Sequence, residues 1–281
     1  MTFRHRLDTK AMLASERQAL ILERVRESGI VSVSELIGEL GVSDMTIRRD
    51  LDALNDRGLV ERVHRGAVVA RGRSLFEPSF EAKLGLQAAE KEAIAEAAAT
   101  FVEPNSPVGI SAGTTALAVA RRLVDVPGLI IVTNSISVAE VIREAGREDQ
   151  RVILTGGEPT PSNALVGPFA VWGFRQVHLD VVFLGVHGMT PRSGYATPNL
   201  LEAEANRALV EAGRRLIVVA DHTKWGVIGL STIASLDQAN VLITDEGLDA
   251  AGRSVLGRAV PGLTIVPPRF RPEPVPRAAV G

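Results

Sequence analysis

Residues 31–69 read VSVSELIGELGVSDMTIRRDLDALNDRGLVERVHRGAVV, and this stretch decides the architecture of the N-terminal part of the chain. Leu36, Ile37 and Leu40 sit at helical spacing and predict a short helix over 34–40. Gly41-Val42-Ser43 reads as a tight turn. Ser43 then stands as the cap of a further helix, because its side-chain oxygen can accept from an otherwise unsatisfied backbone N–H. Within that helix Ile47, Leu51 and Leu54 fall at i, i+4 and i+7, which makes one inward stripe, and Gly58 closes it. Extended segments at 59–63 and 67–69 bracket His64-Arg65-Gly66 as a hairpin. Upstream, a helix is expected from about Glu16 to Glu27, with Leu20, Ile21 and Val25 on one face, Ser15 as its cap and Gly29 as its end. Helix, short helix, three-residue turn, helix and hairpin make up the order of a winged helix-turn-helix, in which the turn sets the crossing of the two helices.

With the stripe facing inward, Met45, Thr46, Arg48, Arg49 and Asp52 must face elsewhere. The first four occupy the N-terminal half of the helix, the half that reaches base edges and phosphates when such a helix enters the major groove. An arginine there can bond guanine O6 and N7 together, or clamp a phosphate. The bland alternative is that Arg48 and Arg49 only solvate a surface helix. Charge distribution weakens it. The whole chain has a net charge of −2, yet residues 57–73 hold Arg57, Arg62, Arg65, Arg71 and Arg73 against Glu61 alone. Arg62, Arg65 and Arg71 would set the wing against the DNA backbone, with His64 at its tip. Asp44, Asp50, Asp52 and Asp56 oppose DNA affinity, but can restrain the arginines and raise selectivity.

Beyond residue 90 the pattern changes. An Ala-rich amphipathic helix is expected over 91–102. Apolar strand candidates follow at 108–111, 129–134, 151–156, 181–186, 215–220, 240–245 and 263–267, with helices expected at 115–123, 137–145, 199–212 and 247–254. Continuous apolar strands alternating with helices imply a mostly parallel sheet covered on both faces. Ligands of such sheets sit beyond the carboxyl ends of the strands. Those ends carry Ala112-Gly113-Thr114-Thr115, Thr133-Asn134-Ser135, Gly156-Gly157-Glu158, Gly185-Val186-His187-Gly188 and Asp221-His222-Thr223-Lys224. A glycine and two hydroxyls at a helix N-terminus form a cradle for phosphate, because free backbone N–H groups and the helix dipole point outward. Singly, each motif reads as a turn, a cap or a solvated lysine. Their convergence on one rim predicts a site for a small anion. The chain thus divides into a winged helix-turn-helix at 15–70, a linker at 71–89, an α/β domain at 90–268 and a Pro-rich, disordered tail at 269–281.

These residues carry a resemblance. The stretch 31–69, and GVSDMTIRRDL within it, resembles the DNA-binding domain of the DeoR family of bacterial transcriptional repressors. The wing departs from the family's usual His-Gly-Gly with His64-Arg65-Gly66, which adds a positive charge. In the second domain EKEAIAEAAA, SAGTTALAVAR, IIVTNS, ILTGGE, VVFLGVHGM, LLEAEANRALVEA and VVADHTKWG resemble that family's sensor domain, which has the fold of sugar-phosphate isomerases such as ribose-5-phosphate isomerase. The resemblance spans nearly everything from 15 to 265. It implies a repressor of a carbohydrate operon that binds double-stranded operator DNA, answers to a phosphorylated sugar and works as a dimer or higher homo-oligomer. It assigns phosphate to Gly113, Thr114 and Thr115, and the remaining lining to Thr133, Asn134, Gly157, Glu202 and Lys224. Many family members carry Asp where Ser111 stands here.

Several classes are excluded or disfavoured. Cysteine is absent, which rules out disulfides, thiol catalysis and Cys-ligated metal sites. The five histidines lack metal-ligand spacing, so neither metal nor cofactor is expected. His178 reads as structural, while His187 and His222 read as near the ligand. No apolar run is of membrane-spanning length, and the first 14 residues lack the apolar core of a signal peptide. The expectation is a soluble cytoplasmic protein. Two enzyme readings compete, the alternative being a sensor domain that retains sugar-phosphate isomerase-type activity, and both are disfavoured. Aldose–ketose isomerisation needs a base and an electrophile for the enediolate. Glu202 could be a residual base, but residues 181–201 contain no lysine to partner it. Gly109-Ile110-Ser111-Ala112-Gly113 matches a G-x-S-x-G nucleophile elbow, but it follows the first strand of its domain, and no oxyanion loop precedes it.

Overall fold

The computed structural model describes residues 13–28, 30–56, 60–63, 66–69 and 80–267. The expected Gly29 and Gly58 helix stops, the His64-Arg65 wing tip and the 269–281 tail lie outside them. The N-terminal domain holds α1 (Ala14–Ser28), β1 (Ile30–Ser32), α2 (Val33–Leu40), α3 (Asp44–Asp56), β2 (Val60–Val63) and β3 (Gly66–Val69). Ser15, read as a cap, falls inside the first turn of α1. The turn from α2 to α3 forms as the sequence suggests, with Gly41 left-handed at φ 64° and its N–H donating to Ile37 O. Ile47, Leu51 and Leu54 are all buried, against Ile21 and Val25 of α1 and Leu36 of α2. Each such side chain contributes on the order of 1.5–3 kcal/mol.

The wing is a three-stranded antiparallel sheet in the order β1-β3-β2. β1 escaped the sequence reading because three residues carry no period; only pairing with β3 makes them a strand. Gly66 is required where the two meet, since a Cβ there would lie 2.1 Å from Val31 O. Ser32 ends β1 and starts α2 through a capping box. Its Oγ accepts from the Glu35 N–H, and the Glu35 carboxylate accepts from the Ser32 N–H, which holds that carboxyl below its ordinary pKa.

The C-terminal domain follows with α4 (Phe80–Leu84), α5 (Ala88–Ala99), β4 (Pro107–Ile110), α6 (Thr114–Leu123), β5 (Ile130–Thr133), α7 (Ile136–Glu144), β6 (Arg151–Leu154), β7 (Glu158–Pro159), β8 (Leu165–Val166), α8 (Pro168–Arg175), β9 (Val181–Gly185), β10 (Gly188–Thr190), β11 (Gly194–Thr197), α9 (Leu200–Ala212), β12 (Leu216–Val219), β13 (Ser231–Ala234), β14 (Val241–Asp245), α10 (Ala250–Ala259) and β15 (Gly262–Val266). All seven predicted strands join one parallel sheet, in the order β15-β14-β12-β9-β4-β5-β6. One face packs under α5, α6 and α7, and the other under α8, α9 and the small antiparallel sheet β10-β11-β13.

The stretch 71–89 is not linker throughout. α4 lies within it, Phe80 is buried in the sensor core, and α5 begins at Ala88 instead of 91. From β4 the chain winds one way through β5 to β6, then returns to β9 on the other side of β4. The switch point therefore lies between the carboxyl ends of β4 and β9, where doubly wound sheets bind their ligands.

Candidate nucleic-acid interface and anion site

On α3 the four outward residues sort into two kinds. Met45 is 65% exposed, and Thr46 is tied back to the cap: Ser43 Oγ accepts from its N–H at 3.3 Å and lies 2.9 Å from its hydroxyl. Arg48 is paired one turn back with Asp44, its Nε donating to Oδ1 at 2.5 Å, and this hydrogen bond raises its pKa. Arg49 is exposed and has no ion pair among the described residues.

Asp50, counted among the acids opposing DNA, does something else. It is buried and accepts from Arg17 Nε at 2.5 Å and Gln18 Nε2 at 3.1 Å, so it ties α3 to α1 inside the domain. Asp44 holds the outward Arg48 by a hydrogen bond, and the charge of Asp52 acts on the same guanidinium. Arg62 lies on β2; His64, Arg65 and Arg71 lie outside the described residues.

The rim of the sheet is built around β4. Gly113 adopts φ 124° as the N-cap of α6, which has no side-chain cap. A Cβ on Gly113 would meet nothing within 4 Å, so the space beside this uncapped helix end is open. Thr114 is half-buried and Thr115 buried. Ser111 pins the switch point: the Gly185 N–H donates to its Oγ at 2.9 Å, and the Ser111 N–H donates to Phe183 O. Its side chain is fully buried, whereas a nucleophile elbow presents its hydroxyl.

Thr133 is fully buried as well. Its hydroxyl donates to Ile110 O at 2.7 Å and accepts from the Ser135 N–H, which makes it scaffolding behind the cradle. Asn134 is buried and donates to Leu165 O; its Oδ1 has no partner among the described residues. Gly157, at φ 125°, lies so close to Val166 that a Cβ would meet its carbonyl at 2.4 Å.

Glu202, at the start of α9, is buried beneath three hydroxyls. Thr160 donates at 2.7 Å, Thr197 at 3.2 Å, and Ser162 donates as well. Thr160 and Ser162 belong to the β7–β8 loop, so this carboxylate fastens that loop to the rim.

Lys224 ends a single 3-10 turn, His222–Lys224, that is capped by Asp221. His222 donates its backbone N–H to Asp245 Oδ1 at 2.8 Å, and its Nδ1 lies 2.7 Å from Oδ2. That hydrogen bond raises the His222 pKa against the opposing effect of burial. Burial pushes the Asp245 carboxyl up, but bonds from the His222 ring and from the His222 and Gly247 amides outweigh it and leave it below its ordinary value.

Sequence reasoning missed Lys91. It sits on α5 with Ile94, Ala95 and Ala98 on the same buried face, a stripe at i, i+3, i+4 and i+7 that was legible in EKEAIAEAAA. Its Nζ donates to Lys83 O at 2.6 Å. Burial brings its pKa down to about 8, against the pull of Asp221 and with Lys224 adding to the fall. Lys91 therefore shares the electrostatic neighbourhood of Asp221 and Lys224. No group of residues among those described could hold a metal ion, and no helix among them is long and apolar enough to cross a membrane.

An α3 that presents arginines outward and a doubly wound domain with an open helix N-terminus at its switch point together suit a ligand-responsive DNA-binding protein. The profile of the DeoR-like helix-turn-helix domain matches residues 17–72, and that of the DeoR C terminal sensor domain matches residues 86–246. The "HTH-type transcriptional regulator GlpR" of Haloferax volcanii is 38% identical over 91% of this chain and 98% of its own. The "Putative aga operon transcriptional repressor" of Escherichia coli O157:H7 is 34% identical over 87% of this chain and 91% of its own. Among solved structures, a D-ribose-5-phosphate isomerase aligns over 48% of this chain and 52% of its own, at 16% identity and a TM-score of 0.36. The chain belongs to the DeoR family of transcriptional regulators.

Proposed function

We propose that this regulator is a repressor of a carbohydrate operon, released or recruited by a phosphorylated sugar, and that it works in the cytoplasm as a dimer or higher homo-oligomer. α3 enters the major groove. Arg49, without an ion pair among the described residues, and Arg48, held in place by Asp44, supply base or phosphate contacts, with Met45 and Thr46 beside them and Ser43 fixing the turn. Arg62, His64 and Arg65 of the wing lie against the flanking backbone. Two-fold operators need paired reading heads, which motivates the oligomer.

The effector's phosphate sits on the N–H groups of Gly113, Thr114 and Thr115, with Lys224 as a point charge. Asn134, Gly157 and Glu202 shape the rest of the pocket, and Thr133 holds the floor. The single observation that carries this reading is the α6 N-terminus: uncapped, open, and placed at the switch point. Catalysis is not proposed, because the Glu202 carboxylate already accepts from three hydroxyls. The test is calorimetry of the full chain with a panel of sugar phosphates and the corresponding free sugars, with operator titrations alongside. The reading predicts that only phosphorylated compounds bind and that binding changes operator affinity. Equal binding of the free sugars sinks it.

A further inference from the structure

The sensor domain leaves a concentrated apolar surface at the β6 end of its sheet. Phe169 and Trp172, 74% and 64% exposed, stand three residues apart on α8 and so share one side of it. The buried side of α8 is Ala170, Val171 and Phe174. α8 lies across the end of β6: a Cβ added to Gly173 would meet Thr155 Cβ at 3.0 Å. Ile153 is in register with Val132, which belongs to the core beneath α8 and α9, so Ile153 emerges on the same side of the sheet as α8. Leu154, next along this edge strand, points to the other side of the sheet, and β6 has no neighbour beyond it among the described residues. Leu200 and Leu201 open α9, which packs against α8, and both are exposed.

A large aromatic side chain carries about 150–250 Å² of surface, so these two aromatics and the three aliphatics Ile153, Leu200 and Leu201 together expose roughly 500–600 Å². That is the upper end of what a soluble monomer leaves to water, about 300–600 Å².

We infer that this surface is the seat of a second copy of this chain, docked isologously with α8 facing α8 of its partner. Area supports that occupant. A two-fold contact buries the patch twice, roughly 1,000–1,200 Å² of apolar surface. With its polar margin it enters the 1,200–2,000 Å² range, quoted as about that size, of stable interfaces. Charge supports it as well. Arg175 on α8 and Glu204 on α9 are both exposed, and neither has an ion pair among the described residues. A two-fold axis between them brings the positive side of one copy to the negative side of the other, which self-association requires of a self-complementary patch. This inference rests on the oligomer proposed above and adds its location.

The experiment is light scattering on the size-fractionated full chain at micromolar concentration. Wild type is compared with the double variant Phe169→Glu, Trp172→Glu and with Leu13→Glu, a change at an exposed leucine ahead of α1, outside the sensor domain. The wild type and Leu13→Glu are expected to share one oligomeric mass, and the double variant to fall to half of it, with thermal unfolding showing that each is folded. A monomeric wild type overturns the oligomer itself, and this interface with it. An oligomeric wild type whose double variant keeps the same mass overturns only the interface.

A second readout needs no disruptive change. In a Trp225→Phe background, Trp172 is the sole tryptophan. Its emission is expected to shift to the red as dilution separates the copies. Emission that is already fully red in the intact oligomer rules the surface out.

Discussion

The N-termini of α3 and α6 are finished in opposite ways. At α3, Ser43 bonds the Thr46 N–H and Asp44 holds Arg48. A side chain closes this end, and what it presents is side chains. At α6, glycine stands at the cap, no side chain closes the end, and what is presented is backbone N–H groups. A reading helix must discriminate among base pairs, which only varied side chains can do. An anion cradle needs positive potential without bulk, which bare backbone supplies. The contrast shows where variation is tolerated: the outward face of α3 can be rewritten without disturbing the domain, whereas Gly113 cannot acquire a side chain without strain at φ 124°.

Four measurements test the contrast between the two helix ends and the helices that carry them. The largest expected effect is structural. Asp50→Ala removes the buried carboxylate to which Arg17 and Gln18 donate and should destabilise the N-terminal domain by about 3 kcal/mol, read by urea unfolding. Unchanged stability would falsify the claim that the inward side of α3 is a structural tie.

Lys91 comes next, with pH as the variable. Its pKa is lower in the folded chain, about 8, than the ordinary 10.5. The unfolded chain therefore holds the proton more tightly, and the cost of burying the charge is full below pH 8 and relieved as pH rises toward 10.5. Lys91→Met escapes that cost, so its stability advantage over wild type should shrink by about 3 kcal/mol across this window. A difference that does not change with pH refutes the buried charge.

Third, Arg49→Ala should weaken operator binding by about 1–3 kcal/mol if it reads guanine. Arg48→Ala should cost less, because Asp44 already competes for that guanidinium. Anisotropy titrations over a salt series separate a base contact from a phosphate contact, since loss of a phosphate contact lowers the salt slope by about one. Equal losses at the two positions dissolve the distinction drawn here between a free and a restrained arginine.

The smallest expected effect is on the coupling between sites. Thr114→Val should remove most of an effector response of about 1–3 kcal/mol while leaving ligand-free operator affinity unchanged. Thr114 is the sharper position, because Thr115 is buried and its replacement also tests packing. A full response in Thr114→Val means that the hydroxyl contributes nothing to the cradle.

The elements legible in the sequence were those whose period could be counted. The seven core strands were legible as continuous apolar runs, and Ile47, Leu51 and Leu54 announced the inward side of α3. α8, PFAVWGFR, was not legible, because apolar residues on both its faces leave no stripe. β1, β7, β8, β10, β11 and β13 are two to four residues long, too short to show a period, and exist only through the strands they pair with. The same holds for side-chain roles. Arg49 could be placed from helical phase alone. Asp50 needed Arg17 and Gln18, more than 30 residues away, to show that it turns inward. The three hydroxyls around Glu202 come from two separate segments that the sequence gives no reason to join.

α4 has a practical consequence for building hybrid regulators. Its first N–H donates to Pro161 O at 3.3 Å, in the loop that Glu202 fastens, and the Lys83 carbonyl near its end accepts from Lys91. Phe80 is buried in the sensor core. α4 is thus part of the sensor's own fabric, although it is the first described element after the wing. A designer who exchanges the reading head for one of different operator preference should cut between Val69 and Phe80. A cut made after α4 would carry off Phe80 and leave Lys91 and Pro161 facing a foreign sequence.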